Sequence, residues 1–180
     1  MKKIFLIIAL PILFGACMSK LDFDQADSLP IHPVFDADMF YIDINNDNLV
    51  DSQNHFRSII QDTISFGVFE DGKVRDGFEK AEITVGFTNT FQRRFDVAYF
   101  FIDANGVPVE QNSFSIYLAA QGSTVQGEEL FVFDKNTNPD FVNFRKIVVK
   151  VIVSPEGLPV EDEHLHIQTK GKFYINANLN

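Results

Sequence analysis

The 180-residue chain lacks tryptophan and holds a single cysteine, Cys17. With one thiol it can form no internal disulfide, which excludes the disulfide-stabilised class of secreted domains. Basic residues are also few, since 15 Lys and Arg stand against 25 Asp and Glu, for a formal net charge of −10. A protein that binds a phosphate backbone would present a basic face, so no nucleic-acid partner is expected.

The N-terminal apolar run, Ile4–Phe14, covers only 11 residues. It is too short to cross the hydrocarbon core of a membrane, which needs about 20 apolar residues. Lys2 and Lys3 precede this run, and the small residues Gly15 and Ala16 follow it. This three-part layout is typical of a secretory signal peptide and predicts that residues 1–16 are removed.

The stretch Leu13-Phe14-Gly15-Ala16-Cys17 resembles a bacterial lipobox, in which small residues precede an obligatory cysteine. The resemblance implies cleavage before Cys17 and its acylation with palmitate-type chains. Several chains anchor a protein stably, because each buried CH₂ contributes about 0.8 kcal/mol and a single chain is marginal. The alternative is an ordinary signal peptide followed by a chance cysteine. Removal of residues 1–16 leaves 164 residues and takes away two lysines, which lowers the formal net charge to −12.

The residues after Cys17 predict a membrane tether and its location. Residues 18–37 carry acidic residues and prolines that discourage regular structure. Met18 and Ser19 lack the aspartate that retains enterobacterial lipoproteins in the inner membrane, so the outer membrane is favoured. Acidic residues from Asp22 onward resemble the surface-export signal of Bacteroidetes lipoproteins, and a periplasmic or a surface-exposed orientation both stay open. The predicted organisation is a signal peptide (1–16), a lipidated tether (17–37) and one folded domain (38–180).

From residue 38 onward the pattern predicts an all-β fold. Apolar and polar residues alternate over Ala81–Phe87 and Ile147–Val153, as in strands with one buried face. Seven to nine such strands with turns between them predict an antiparallel, immunoglobulin-like β-sandwich. A helix is predicted at Ser52–Ile60, a single turn at Pro139–Phe144, and a break near Gly171 in the last strand. The residues expected to be buried are Ile83, Val85, Phe87, Val97, Phe101, Val149 and Val151.

The 20 phenylalanines have two interpretations. Most are in phase with aliphatic neighbours, which favours rings that fill the space between two sheets. The alternative is an exposed aromatic platform for a ligand.

The stretch Asp43–Asp51 is a candidate calcium loop. Oxygen-bearing side chains lie at loop positions 1, 3, 5 and 9, and the backbone carbonyl of Leu49 is at position 7, a spacing that suits a hard cation. It resembles a loop of the EF-hand or dockerin kind, with Asn48 in place of the usual glycine and Asn54 in place of the bidentate acid at position 12. The alternative is an Asp/Asn-rich loop after a strand. The candidate ligands are Asp43, Asn45, Asp47, Leu49 and Asp51.

A second candidate metal site is the pair His164 and His166, which project from the same face of an extended strand and can chelate zinc or copper. A third ligand, such as His32 or His55, would have to come from elsewhere. The alternative is a polar strand edge. The pair Arg93-Arg94, beside Asn89-Thr90, is expected at a solvated hairpin end. The sequence contains no nucleophile elbow, P-loop or H-E-x-x-H motif, and no catalytic residue or cofactor is assigned.

The chain as a whole resembles the small lipoproteins of flavobacteria and other Bacteroidetes. The resemblance rests on the Leu13–Cys17 lipobox, the stretch Leu21-Asp22-Phe23-Asp24-Gln25-Ala26, and the hairpin Thr88-Asn89-Thr90…Arg94-Phe95. That group has no agreed activity to carry over. The leading hypothesis is a non-catalytic binding or assembly module, anchored at the outer membrane, that contacts an envelope protein or a glycan. The alternatives are an envelope hydrolase or metal-dependent enzyme, and a calcium-stabilised structural subunit of a surface appendage.

Overall fold

The computed structural model describes residues 32–155 and 162–177, so the predicted signal peptide, Cys17 and most of the predicted tether lie outside the described residues. The described residues form eight strands, one short α-helix (α1, Gly72–Gly77) and 3-10 turns at Asn46–Leu49, Val68–Glu70 and Pro139–Asn143. The strands are β1 (Val34–Asn45), β2 (Ile59–Ser65), β3 (Phe78–Asn89), β4 (Phe95–Asp103), β5 (Pro108–Ile116), β6 (Val125–Asp134), β7 (Phe144–Val153) and β8 (His164–Ile175).

The eight strands form a sandwich of two antiparallel sheets, which confirms the predicted fold class. Sheet 1 has the strand order β1-β8-β3-β6, and sheet 2 has the order β2-β7-β4-β5. Each sheet therefore draws strands from both halves of the chain, in the order of an eight-stranded jelly roll. Immunoglobulin domains share the sandwich architecture but distribute their strands differently. Alternation along a strand identifies the strand and its buried face, but it does not identify the strand's neighbours.

The sandwich begins before residue 38, where the folded domain was predicted to start. β1 starts at Val34, and Phe35 and Ala37 pack against the core. The Phe35 ring stacks on Phe173 with a centroid distance of 5.1 Å. The acidic residues Asp36 and Asp38 are outward-facing residues of this strand.

The prediction of a helix at Ser52–Ile60 is wrong. The carboxylate of Asp51 accepts hydrogen bonds from the backbone N–H groups of Gln53 and His55, both at 2.8 Å, and so closes a turn. Val50 and Phe56 form an isolated bridge, and the chain enters β2 at Ile59. An aspartate that bonds to the backbone two residues onward stabilises a turn in competition with a helix. The single turn expected at Pro139–Phe144 is confirmed by the 3-10 turn there.

Aromatic rings fill the space between the sheets, which confirms the interpretation of the phenylalanines as core residues for the described part of the chain. Phe133 and Phe141 stack at a centroid distance of 4.1 Å, and Phe101 meets both of them as well as Phe144. Of the seven residues expected to be buried, only Phe87 is half-buried. The fully buried phenylalanines are Phe69, Phe78, Phe91, Phe95, Phe101, Phe133, Phe141, Phe144 and Phe173.

Gly171 does not break the last strand, because β8 is continuous from His164 to Ile175. The ring of Phe173 lies over Gly171, and a Cβ at position 171 would lie 2.6 Å from the ring carbon Cε2. Phe173 is itself stacked against Phe35 and Phe66, so its ring has little room to move aside. This glycine therefore marks a close approach of an aromatic ring to the backbone.

A buried hydrogen bond between two side chains joins the two sheets. The hydroxyl of Tyr99 on β4 lies 3.0 Å from the hydroxyl of Thr169 on β8, and both residues are fully buried. Burial raises the pKa of Tyr99 to about 12, because the ionised phenolate would lose its hydration. The phenol therefore stays neutral, and able to donate, throughout the physiological range.

Candidate functional site

The acidic loop at residues 43–54 lies at one end of sheet 1, and the oxygen atoms of Asn45, Leu49 and Asp51 serve separate local contacts. Asn45 and Asn48 form a reciprocal capping box around the 3-10 turn that follows β1. Leu49 is buried, and its carbonyl accepts a hydrogen bond from the backbone N–H of Arg57 at 2.8 Å. The backbone N–H of His55 is the main reason that the pKa of Asp51 lies below its usual value. The loop is thus ordered by its own hydrogen bonds.

His164 and His166 lie two residues apart on β8, with their side chains on the outward face of sheet 1. The Nδ1 atom of His166 is 2.5 Å from a carboxylate oxygen of Asp43, and Nδ1 of His164 is 3.3 Å from the hydroxyl of Thr90. The two histidines considered as a third ligand have other partners. His32 lies 3.6 Å from Glu79, and His55 lies 3.3 Å from Asp51.

The pairing of β1 with β8 brings the two candidate metal motifs together, although they are more than a hundred residues apart in sequence. Asp43 is directly opposite His166, and Asn45 is directly opposite His164. Beside them lies a shallow depression of about 330 Å³. It is lined by Asn45, Asn46, Asp47, Asp162 and Glu163. Among the described residues, no group of three or more His, Cys, Asp or Glu is placed to hold a metal ion.

We expect calcium to leave the melting temperature of the mature protein unchanged. The oxygen atoms of Asn45, Leu49 and Asp51 already have protein partners, and a calcium ion needs six to eight oxygens converging on one point. The measurement is thermal unfolding with EDTA and with several millimolar calcium. A site filled at tenfold its Kd would add RT ln 11, about 1.4 kcal/mol. A calcium-dependent rise in melting temperature that disappears in Asp47→Ala would contradict the expectation.

Arg93 and Asn89, expected at a solvated hairpin end, are buried. Arg93 is 3 % exposed and Asn89 is fully buried. The Arg93 guanidinium lies over the ring of Phe56, 5.5 Å from its centroid, so the residue packs beneath the loop that precedes β2. The expectation of a solvated end is therefore wrong for these two residues, whereas Arg94 is exposed and pairs with Asp96 at 2.8 Å.

Asn89 organises the turn between β3 and β4. Its Oδ1 atom accepts a hydrogen bond from the backbone N–H of Phe91 at 2.9 Å. Its Nδ2 group donates to the carbonyl oxygens of Tyr117 at 2.8 Å, Phe91 at 3.4 Å and Arg93 at 3.5 Å. The buried Glu163 accepts from the backbone N–H of Gln92 at 3.1 Å. This polar cluster joins the turn to the end of β5 and to the start of β8, and no residue spacing in the sequence reveals it.

The outward face of sheet 1 carries two adjoining depressions, which we call the sheet-1 trough. One, of about 440 Å³, is lined chiefly by the side chains of β1, β8 and β3. The next, of about 410 Å³, lies over β8, β3 and β6. The trough is lined by Asp36, Asp38, Glu82, Thr84, Lys170, Lys172, Gly86, Thr88, Gln126, Glu128, His166 and Gln168, among others.

Charged and polar groups fix one end of the trough. The carboxylate of Glu82 lies 2.5 Å from Nζ of Lys80 and accepts a hydrogen bond from the hydroxyl of Tyr174 at 2.9 Å. The hydrogen bond from Lys80 is the main reason that the pKa of Glu82 is lowered. Glu82 is therefore an ionised hydrogen-bond acceptor at neutral pH, held in one orientation.

Comparisons with known proteins assign the chain to no family. No family model matches it, and no curated protein matches it. Among solved structures, the VP2 subviral particle of infectious bursal disease virus aligns with a TM-score of 0.44 and 12% identity, over 84% of this chain and 35% of that chain. A candidate secreted protein from Parabacteroides distasonis ATCC 8503 aligns with a TM-score of 0.45 and 17% identity, over 64% of this chain and 37% of that one. A chain from the structure of Desmodium yellow mottle tymovirus aligns with a TM-score of 0.35 and 12% identity, over 82% of this chain and 89% of that one.

The chain thus spans about a third of the length of the infectious bursal disease virus and Parabacteroides chains that it matches. These identities and TM-scores are too low to carry a statement about function. Within the described residues, no helix has both the length and the apolar character needed to cross a bilayer.

Proposed function

We propose that the protein is anchored to the outer membrane through acylated Cys17 and acts there as a non-catalytic binding or assembly module of the cell envelope. The observation that carries the proposal is the single cysteine of the chain, which directly follows the small residues Gly15-Ala16 and the apolar run Ile4–Phe14. A cysteine at this position is what lipoprotein processing requires, and several acyl chains give a stable anchor.

The position of the first strand supports the proposal. Between Cys17 and Val34 lie 16 residues, which span at most about 55 Å when fully extended. A connection of this length would hold the jelly roll at the envelope once Cys17 is acylated. The sheet-1 trough, with its outward polar side chains, is a surface that suits a binding role.

A calcium-stabilised structural subunit of a surface appendage is the second candidate function. It is favoured by the depression that Asn45, Asp47, Asp162 and Glu163 line beside β8. The calcium melting experiment described above separates the two proposals, because only the second requires a calcium-dependent gain in stability.

The anchor is tested by labelling cells with a clickable palmitate. We expect label on the wild-type protein and none on Cys17→Ser, whose serine hydroxyl cannot replace the thiol as the acyl acceptor in lipoprotein processing. Met18→Ser is the matched control, since it changes the neighbouring residue and keeps the thiol, and its label should equal that of wild type. Equal label on wild type and Cys17→Ser would refute the proposed anchor.

A further inference from the structure

The sheet-1 trough follows β3 and β8 over several cross-strand rows. Between Glu82 and Thr88 the strand advances six residues, which is about 20 Å at roughly 3.4 Å per residue. Gly86, within this stretch, leaves the floor open. A Cβ at position 86 would meet nothing closer than Gln168 O and Glu128 Cγ, both 4.0 Å away. The trough is therefore long, with an open centre, and it suits an extended chain-like ligand.

An exposed aromatic ring lies on β1, one strand beyond the part of β8 that faces the open centre of the trough. Tyr41 on β1 is 72% exposed. It is directly opposite Gln168 on β8, which in turn is directly opposite Gly86 on β3. Directly opposed residues have Cβ atoms about 5 Å apart, so Tyr41 and Gly86 lie about 10 Å apart on either side of Gln168, and the ring can contact a ligand that extends from Gly86 across Gln168. A tyrosine ring offers an apolar face for the C–H face of a ligand and a hydroxyl for a hydrogen bond.

Planar polar groups surround the same point. Gln126 and Gln168 carry carboxamides, each of which has both donors and acceptors, and Glu128 carries an acceptor carboxylate. Within the part of the chain that the structure describes, these three side chains form no hydrogen bond, so their polar atoms are available to a ligand. The neighbouring hydroxyl groups of a sugar both donate and accept hydrogen bonds, so they can pair with these two carboxamides and this carboxylate.

We propose that the sheet-1 trough binds a neutral oligosaccharide, with one sugar ring over Gly86, a neighbouring ring stacked on Tyr41 at the edge of the trough, and Gln126, Glu128 and Gln168 bonding to the hydroxyls. The inference rests on the proposed function, since it names the ligand class of that binding module. A polyanionic glycan fits less well, because Asp36, Asp38, Glu82 and Glu128 outnumber the lysines Lys170 and Lys172 along the trough.

The test is affinity electrophoresis of the mature lipidated protein, in non-ionic detergent, through native gels that contain dextran, mannan, xylan or laminarin. Polygalacturonate serves as the acidic probe. We expect retardation by at least one neutral polysaccharide. Tyr41→Ala should weaken that binding by about tenfold or more, as the loss of a central aromatic contact does. Gly86→Val should weaken it similarly, because the added side chain fills the open centre.

The stability of Gly86→Val and a second tyrosine variant serve as controls. Valine is favoured in strands and nothing crowds position 86, so Gly86→Val should melt close to wild type. Tyr117→Ala removes another exposed tyrosine, 67% exposed and away from the trough, and should leave binding unchanged. The proposal is overturned if no neutral polysaccharide retards the protein, if only polygalacturonate does, or if Tyr41→Ala and Gly86→Val both bind as wild type. The palmitate label on Cys17 is independent of these results, so a failed anchor and a failed sugar site are told apart.

Discussion

Phe101→Ala should lower the free energy of unfolding by about 3–5 kcal/mol, because it removes a fully buried ring and leaves a cavity. The ring of Phe101 lies 5.0 Å from that of Phe133 and 5.3 Å from those of Phe141 and Phe144. These rings are part of the core between the two sheets and are packed on all sides, so the cavity cannot collapse fully. Urea unfolding followed by circular dichroism measures the loss.

The matched control is Phe100→Ala, the same change at the next residue of β4. Phe100 points to the outward face of sheet 2 and is half-buried, so its loss should cost much less, on the order of 1 kcal/mol. Equal effects at positions 100 and 101 would contradict the assignment of the two faces of β4. A Phe101→Ala protein as stable as wild type would contradict the placement of the core.

Asn89→Asp should be the second severe substitution, although it changes only one amide nitrogen to oxygen. The Nδ2 group of Asn89 donates to three backbone carbonyls, the nearest being that of Tyr117 at 2.8 Å. A carboxylate at this fully buried position would face those oxygens with no donor between them. A buried charge without compensation costs about 3–5 kcal/mol, so the loss at neutral pH should be of that size. Urea unfolding measures it, with Asn54→Asp at an exposed turn position as the control.

The destabilisation by Asn89→Asp should also depend on pH. Burial and the facing carbonyls raise the pKa of the new carboxyl in the folded state above its unfolded value of about 3.9. The folded state then binds the proton more tightly than the unfolded state, so the variant loses stability relative to wild type as pH rises above about 4. Comparing the two proteins at about pH 4.5 and about pH 7.5 should therefore show the larger deficit at the higher pH. A deficit that is equal at both values would contradict the buried environment of Asn89.

Alternation of residues was enough to predict the fold class but not the order of the strands. In β7, inward valines and isoleucines alternate with outward residues such as Lys146 and Lys150, and the structure has these faces. Alternation is a property of one strand, whereas the jelly-roll order depends on which strands pair. The helix predicted at Ser52–Ile60 failed because the Asp51 carboxylate closes a turn there, and the break predicted at Gly171 failed because a ring covers that glycine.

For the candidate sites too, the sequence reveals local residue spacing but not which distant residues meet. The spacing in Asp43–Asp51 and in the pair His164 and His166 was visible in the sequence, but their meeting across the β1–β8 pair depends on register. The sheet-1 trough depends on four strands being neighbours, and no local pattern contains that information. In the sequence, Asn89 is an ordinary turn asparagine. Its role depends on the carbonyl of Tyr117, which is 28 residues away and is brought beside it only by the fold.

The most direct test of a lipid-anchored envelope module is the mass of the N-terminal peptide of the mature protein, isolated from purified outer membranes. We predict a peptide that begins at Cys17 and carries a thioether-linked diacylglyceryl group and an amide-linked acyl chain. The same peptide from Cys17→Ser should be absent. A mature protein that begins at another residue, or at Cys17 with an unmodified thiol, would contradict the account.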